Sequence, residues 1–374
     1  MSNSFKTFLK HTAKDFHNQS VNPPIVRAST IIFKSMQDIR KTQEKAKKNP
    51  TGGHFDYGRQ GTSTTHILQQ ILSKLEESYF TFLTPTGFGS VFLAIFSVTR
   101  PGDEIIVADT VYSPTRLLTE NFLKEFKIKT TFYNPHDLKT LEKAITKKTK
   151  LIMVSHMINI TGQILPVKKI CEMAHSYGID VLVDGAHCVG HIDVNIKDLD
   201  CDYYGSSLHK WLSAPLGTGL LFIKKNKISK IQPLFAGHVH EIDSILRLNH
   251  IGTHPVHSDL AINDAIDYLE SISLEKKENR LRYIQRYWSE KVRGKKNIII
   301  NTPSEVFRSC GIANVGVKNI KPADLADILF TKYGIFTVPI DYANVKGCRI
   351  TPNIYTNEQE LDYFVDSIFK IASN

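Results

Sequence analysis

Asp184 and Lys210 are the two residues whose types and spacing first suggest chemistry. Both lie in Val181–Phe222, VLVDGAHCVGHIDVNIKDLDCDYYGSSLHKWLSAPLGTGLLF. Asp184 stands where the apolar run Ile179–Val183 stops, and Lys210 follows the run Asp202–Gly205 after a short stretch of small and polar residues. Short runs of this kind, bounded by polar residues, read as buried strands. An acid and an amine at the ends of neighbouring parallel strands face one crevice, because ligands of open α/β sheets bind beyond the strand carboxyl ends. A lysine amine can form a Schiff base with a carbonyl. A carboxylate keeps a pyridine nitrogen protonated by raising its pKa, as an opposite charge does for any cation. Pyridoxal phosphate is the cofactor that needs both partners.

The residues around this pair, VDGAH and then DYYGSSLHKWLSAPLGTG, resemble the class V aminotransferase group of fold-type I pyridoxal-phosphate enzymes, in particular its isopenicillin-N-epimerase-like and cysteine-desulfurase-like members. That resemblance implies an α/β fold with a mostly parallel seven-stranded sheet and a smaller C-terminal α+β domain. It implies that Lys210 carries the Schiff base and Asp184 pairs with the ring nitrogen. His187 would face the 3′-oxygen, while Ser207 and His209 would hold the phosphate. Further along, Asn159 would touch the substrate and Arg349 would bind its carboxylate. Gly252-Thr253 would bring Thr253 to the phosphate of a neighbouring subunit. Read without the family, His156 is a satisfied surface histidine, Thr253 a helix cap and Arg349 a surface ion pair. An arginine suits the carboxylate role because its planar fork makes two parallel bonds.

Upstream, VNPPIVRAST, FDYGRQGTSTTHILQQ, LTPTGFGSV and PGDEIIVADTVYSPT resemble the cystathionine β-lyase group of cysteine/methionine-metabolism enzymes. Here the implied residues are Tyr57 and Arg59, reaching a partner's cofactor phosphate, and Tyr112, stacking on the ring and assisting proton transfer. On residues alone Tyr57 and Arg59 belong to an ordinary loop, and Tyr112 packs at a strand end. The loop Thr84–Ser90 reads independently as an anion site. Small residues before a helix present free N–H groups with the helix dipole behind them, so Thr86, Gly87 and Phe88 are phosphate-cradle candidates. No G-x-G-x-x-G follows a strand, which excludes a dinucleotide fingerprint.

The positioning elements follow from pattern. Ile67, Leu68, Ile71, Leu72 and Leu75 recur at helical spacing. A helix is expected over about 88–98, with strands at Glu104–Ala108, Ile128–Tyr133, Leu151–Ser155 and Ile179–Asp184 alternating with helices from about Asp137 and Pro166. Such alternation predicts a parallel sheet with helices on both faces. From about Asn297 strands and helices recur on a smaller scale. The expected organisation is an arm over 1–60, a cofactor-binding domain over 61–255, and an interdomain helix with a small domain over 256–374.

The chain of 374 residues is long enough for such a core, and its five cysteines form no C-x-x-C pair. That argues against a metal site or a disulfide framework, and for a reducing, cytoplasmic compartment. The net charge of +10 comes from lysines scattered among acids, which predicts a solvated surface and neither nucleic acid nor membrane as partner. The densest basic cluster, Lys41–Lys48, reads as an exposed helix, and MSNSFKTFLKHTAKDF as a surface arm.

The functional expectation is an enzyme acting on a small amino acid, as a homodimer or dimer of dimers with its site at the subunit interface. The lyase-like N-terminal part favours Cβ–S elimination to pyruvate and ammonia. The class V part leaves transamination or epimerisation open, and a cofactor-binding mosaic without catalysis is the alternative of another kind. Cysteine desulfurases carry a nucleophilic cysteine in a loop before the carboxylate-binding arginine. Gly334–Gly347 contains none, and Cys348 directly precedes Arg349, so a persulfide-forming reaction is not expected.

Overall fold

The computed structural model describes residues 26, 30–58, 61–75, 77–233, 240–248 and 256–373. Arg59, Gly252, Thr253 and the first 25 residues lie outside the described residues. Seven strands form the large sheet: β1 (Phe82–Thr84), β2 (Glu104–Ala108), β3 (Lys129–Tyr133), β4 (Thr149–Ser155), β5 (Asp180–Asp184), β6 (Tyr203–Ser207) and β7 (Gly219–Ile223), in the order β1-β7-β6-β5-β4-β2-β3. β3, β2, β4, β5 and β6 run parallel, and β7 runs antiparallel to both β6 and β1. The mostly parallel seven-stranded sheet expected from the sequence is therefore present.

Side-chain alternation explains why this sheet is buried on both faces. Ile105, Val107, Leu151, Met153, Leu182 and Tyr203 pack on one side with Val91, Ala94 and Ile95 of α1 (Gly87–Val98). Ile106, Ala108, Ile152, Val154, Val181, Val183 and Tyr204 pack on the other with Ile170 and Ala174 of α2 (Val167–Ser176). Polar punctuation sets the limits of the helices. Thr86 caps α1 by accepting from the Gly89 N–H at 2.8 Å, and Asp137 caps Leu138–Ala144 in the same way through Lys139. Ser63–Leu75 buries the expected face, with Ile67, Leu68, Ile71 and Leu72 against Ile262 and Ile266 of Val256–Ile272.

The second sheet is antiparallel throughout, in the order β10-β11-β9-β8, from β8 (Ile298–Ile300), β9 (Ala313–Val317), β10 (Val338–Tyr342) and β11 (Val345–Ile350). Helices Leu274–Val292 and Glu358–Ser373 cover it, with Trp288 and Phe364 meeting edge-on at 5.1 Å. This core runs on into the large-sheet segment: Cys188, Ile192 and Trp211 belong to the same cluster as Ile312, Val315 and Cys348. Thr302 strengthens the join by donating to the Thr161 carbonyl at 2.7 Å. The basic segment read as an exposed helix is one: Met36–Lys48 buries no residue. Among the described residues no helix is long and apolar enough to cross a membrane.

Candidate active site

The parallel strands β2 to β6 deliver their last residues to one edge, and the candidate residues gather there. Asp184 ends β5 opposite Gly205 of β6, and Lys210 lies just beyond the end of β6. Burial pushes the Asp184 carboxyl up, while the Ala186 N–H, donated at 3.0 Å, and the Lys210 charge draw it back. Burial likewise lowers Lys210, with Asp184 opposing and Arg349 adding to the shift. The two groups feel each other's charge, and Lys210 Nζ meets His187 Nε2 at 3.1 Å.

His187 is held from its other side by Trp211, whose indole Nε1–H donates to Nδ1 at 3.2 Å. Burial holds His187 well below its ordinary pKa, and the charge of Lys210 adds to this. Tyr112, partly exposed, presents its ring 5.8 Å from Lys210 Nζ. Its position follows from the turn after β2, where Pro114 opens the helical turn Ser113–Leu117.

The loop before α1 meets the end of β6. A Cβ added at Gly87 would stand 2.0 Å from Ser207 Oγ and 2.7 Å from its backbone N, so only glycine permits this approach. Thr86 spends its hydroxyl on capping, and Phe88 is exposed beside it. His209 is half-buried. Burial lowers its pKa, and Nδ1 is enclosed without a hydrogen-bond partner among the described residues. Ser206 donates to the Gly185 carbonyl at 3.0 Å, which fixes the turn that carries His187.

Arg349 comes from β11 of the small sheet and donates from Nη1 to the Asn159 carbonyl at 3.2 Å. Its Nε is buried and has no partner among the described residues. Burial lowers Arg349 from its ordinary value, though a guanidinium stays charged at neutral pH. Asn159 meets Arg349 through its backbone. Tyr57 forms a backbone bridge with Thr30. His156, read as a surface histidine, is instead buried, with Nδ1 3.1 Å from the Tyr204 hydroxyl and its pKa pushed down to about 4 by burial. The reason is register: His156 follows β4, which is buried along almost its whole length.

Two residues that the sequence reading left out complete the arrangement. Trp211 holds His187, and His191 stacks on Trp211 with ring centroids 3.7 Å apart and planes 19° apart. The only sequence signal for Trp211 is its place directly after the lysine. All five cysteines are buried, including Cys348, whose Sγ lies 3.5 Å from the Pro322 carbonyl.

An open, mostly parallel sheet with an acid and a lysine beyond neighbouring strand ends defines a fold-type I pyridoxal-phosphate enzyme. The chain belongs to the aminotransferase class-V family, whose sequence model matches residues 63–339. It is similar to isopenicillin N epimerase of Streptomyces clavuligerus, 26% identical over 293 residues, covering 72% of this chain and 73% of that one. It is also similar to cystathionine beta-lyase of Haemophilus influenzae, 31% identical over 174 residues, covering 46% of this chain and 42% of the lyase. Among solved structures, the apo cysteine desulfurase of Thermococcus onnurineus NA1 superposes with a TM-score of 0.73 at 20% identity, covering 90% of this chain and 92% of that one. The protein is thus an enzyme of this family, and its cofactor is pyridoxal phosphate. The residues present fit that group: His209 Nδ1 and Arg349 Nε are buried polar atoms without a hydrogen-bond partner among the described residues, and the absence of a side chain at Gly87 lets its backbone close on Ser207.

Proposed function

We propose that this enzyme is a C–S β-lyase, which removes a sulfur leaving group from Cβ of an amino acid and releases pyruvate and ammonia. The observation that supports the reading is Tyr112, whose ring lies 5.8 Å from the Lys210 amine, since a ring-stacking tyrosine is what the resemblance to the cystathionine β-lyase group implies. The buried cysteines support it against a persulfide-forming reaction, which needs an accessible thiolate.

When bound, the cofactor supplies a cationic ring that accepts the electron pair left at Cα. Lys210 is the general base. Its Nζ takes the Cα proton, and burial, which draws the amine below its ordinary pKa, favours that role. Asp184 is the carboxylate kept for a cationic partner, since burial makes an unpaired charge there unfavourable. Arg349 orients the substrate through its carboxylate, with Nη1 already braced on Asn159. Ser207, His209, Thr86, Gly87 and Phe88 are the residues that would hold the cofactor's phosphate. Tyr57, Arg59 and Thr253 are the residues a homodimer would contribute across its interface. In this reading Tyr112 hands a proton to the departing sulfur. In balance, the Cα–H and Cβ–S bonds break, the thiol leaves, and water converts the released enamine to pyruvate and ammonia.

Epimerisation or transamination is the second reading, favoured by the likeness to the isopenicillin N epimerase over 72% of this chain. The test is incubation of the cofactor-loaded enzyme with L-cystathionine, L-cysteine and other amino acids. Pyruvate and ammonia without an added acceptor are expected. Keto acid that appears only with an amino acceptor, or inversion at Cα without either product, would sink the lyase reading. Lys210→Ala is expected to abolish the visible absorbance of the lysine–cofactor linkage and to lower turnover by roughly 10³-fold or more.

A further inference from the structure

We propose that Trp211 is a positioning residue: its indole N–H fixes His187 in the tautomer that carries the proton on Nε2, so that Lys210 faces a donor and is held as the neutral amine. This deepens the reading of Lys210 as the reactive base and rests on it.

The argument is one of donor inventory. An indole nitrogen can only donate. Trp211 Nε1 lies 3.2 Å from His187 Nδ1, so Nδ1 must accept and carries no proton. A neutral imidazole then has its proton on Nε2. That atom is 3.1 Å from Lys210 Nζ. An ammonium has three donors and no lone pair, so it cannot accept from Nε2–H, whereas the neutral amine can. The imidazolium is no alternative, because it carries a proton on Nδ1 as well and would set one donor against the Trp211 indole N–H, and because the nearby Arg349 also opposes a positive charge there. The groups that act on Lys210 itself are Asp184, which favours the ammonium, and Arg349, which opposes it. His187 adds its donor on the side of the amine.

Trp211 is itself held. His191 stacks on its ring at 3.7 Å, donates from Nδ1 to the His187 carbonyl at 2.8 Å, and accepts on Nε2 from the Gly311 N–H at 2.8 Å. Lys277 donates to the Trp211 carbonyl. A ring needed only for packing would not require its N–H to meet a histidine nitrogen. The bond, unlike the stack, is lost in phenylalanine.

The test titrates Lys210 in the full-length protein without cofactor, following its modification by an amine reagent against pH. It is therefore read independently of the visible band that tests the Schiff-base role. Trp211→Phe frees His187 to turn Nε2 into an acceptor for the ammonium. The midpoint of Lys210 should rise by about one pH unit, a tenfold change in the amine–ammonium ratio. In a His187→Gln background, where there is no tautomer to set, Trp211→Phe should move nothing. No rise in the single variant, or an equal rise in both backgrounds, would overturn the proposal. A second measurement needs no substitution. Nitrogen-15 histidine spectra of the wild-type protein should show His187 protonated on Nε2, and a proton on Nδ1 would overturn the proposal even if the variants fail to fold.

Discussion

Arg349, on the last strand in chain order of the small sheet's four, reaches the backbone carbonyl of Asn159 beyond the large sheet, with Nη1 to O at 3.2 Å and the two residues 190 positions apart in sequence. One end of the guanidinium is braced, while Nε is enclosed without a partner among the described residues. The half-used fork is suited to a planar anion.

Substitution at this position should therefore act on substrate affinity. Arg349→Lys keeps the charge and loses the fork. Loss of a charged hydrogen bond costs about 1.5–3 kcal/mol, so kcat/KM for an amino acid should fall on the order of 10- to 100-fold, mostly through KM. The same comparison with an amine lacking the α-carboxylate should give a ratio near one.

Asp184 is expected to cost stability in the cofactor-free enzyme. Burial raises its folded pKa above the ordinary value of 3.8, so the folded state is penalised where the unfolded carboxyl is ionised and the folded one resists ionisation. Asp184→Asn should raise the melting temperature of the cofactor-free protein near neutral pH. The gain should fade as pH falls through the folded pKa and vanish below 3.8. In the loaded enzyme the same change should lower turnover sharply, so one substitution should move stability and activity in opposite directions.

Gly87 is required by space. The 2.0 Å approach of a Cβ to Ser207 Oγ cannot be relieved by a flexible tip, because the Ser207 backbone N is only 2.7 Å away. Gly87→Ala should destabilise the protein by about 1–3 kcal/mol, as overpacking does, and weaken cofactor binding. Urea unfolding and a cofactor titration monitored in the visible would measure both effects. Gly102, whose added Cβ meets nothing within 4 Å, offers a control for glycine substitution as such, although its φ of +96° adds backbone strain.

His156 and His191 should make the protein acid-sensitive. Burial pushes them down to about 4 and about 3, against 6.5 when unfolded. Both are neutral in either state well above 6.5, so the benefit is intact there. As pH falls below 6.5, the unfolded chain takes up protons that the folded chain refuses, and stability is lost. At pH 5 the loss should be on the order of 2 kcal/mol per histidine. Urea midpoints measured at pH 7 and pH 5 should differ accordingly, and His156→Gln should flatten the difference.

The sequence by itself determined the part of the site that follows from strand ends. Asp184 and Lys210 could be read because an apolar run must stop where a buried strand leaves the sheet, and successive parallel strands stop on the same side. Gly87 and Thr86 were legible because a small-residue turn before an apolar helix leaves few other conformations. His156 was misread because local polarity does not reveal that both faces of β4 are covered. Trp211 and His191 were out of reach for a related reason: the partner of a ring nitrogen is set by side-chain geometry, and no spacing rule encodes it. Arg349 was named through a family likeness. Its approach to Asn159 exists only because the small sheet's core continues into the segment around Cys188 and Trp211. Periodicity along a chain fixes which residues are buried and where a strand ends. Which donor meets which acceptor is decided only when separate elements pack, and in this protein that packing turns a lysine at a strand end into an amine facing a histidine.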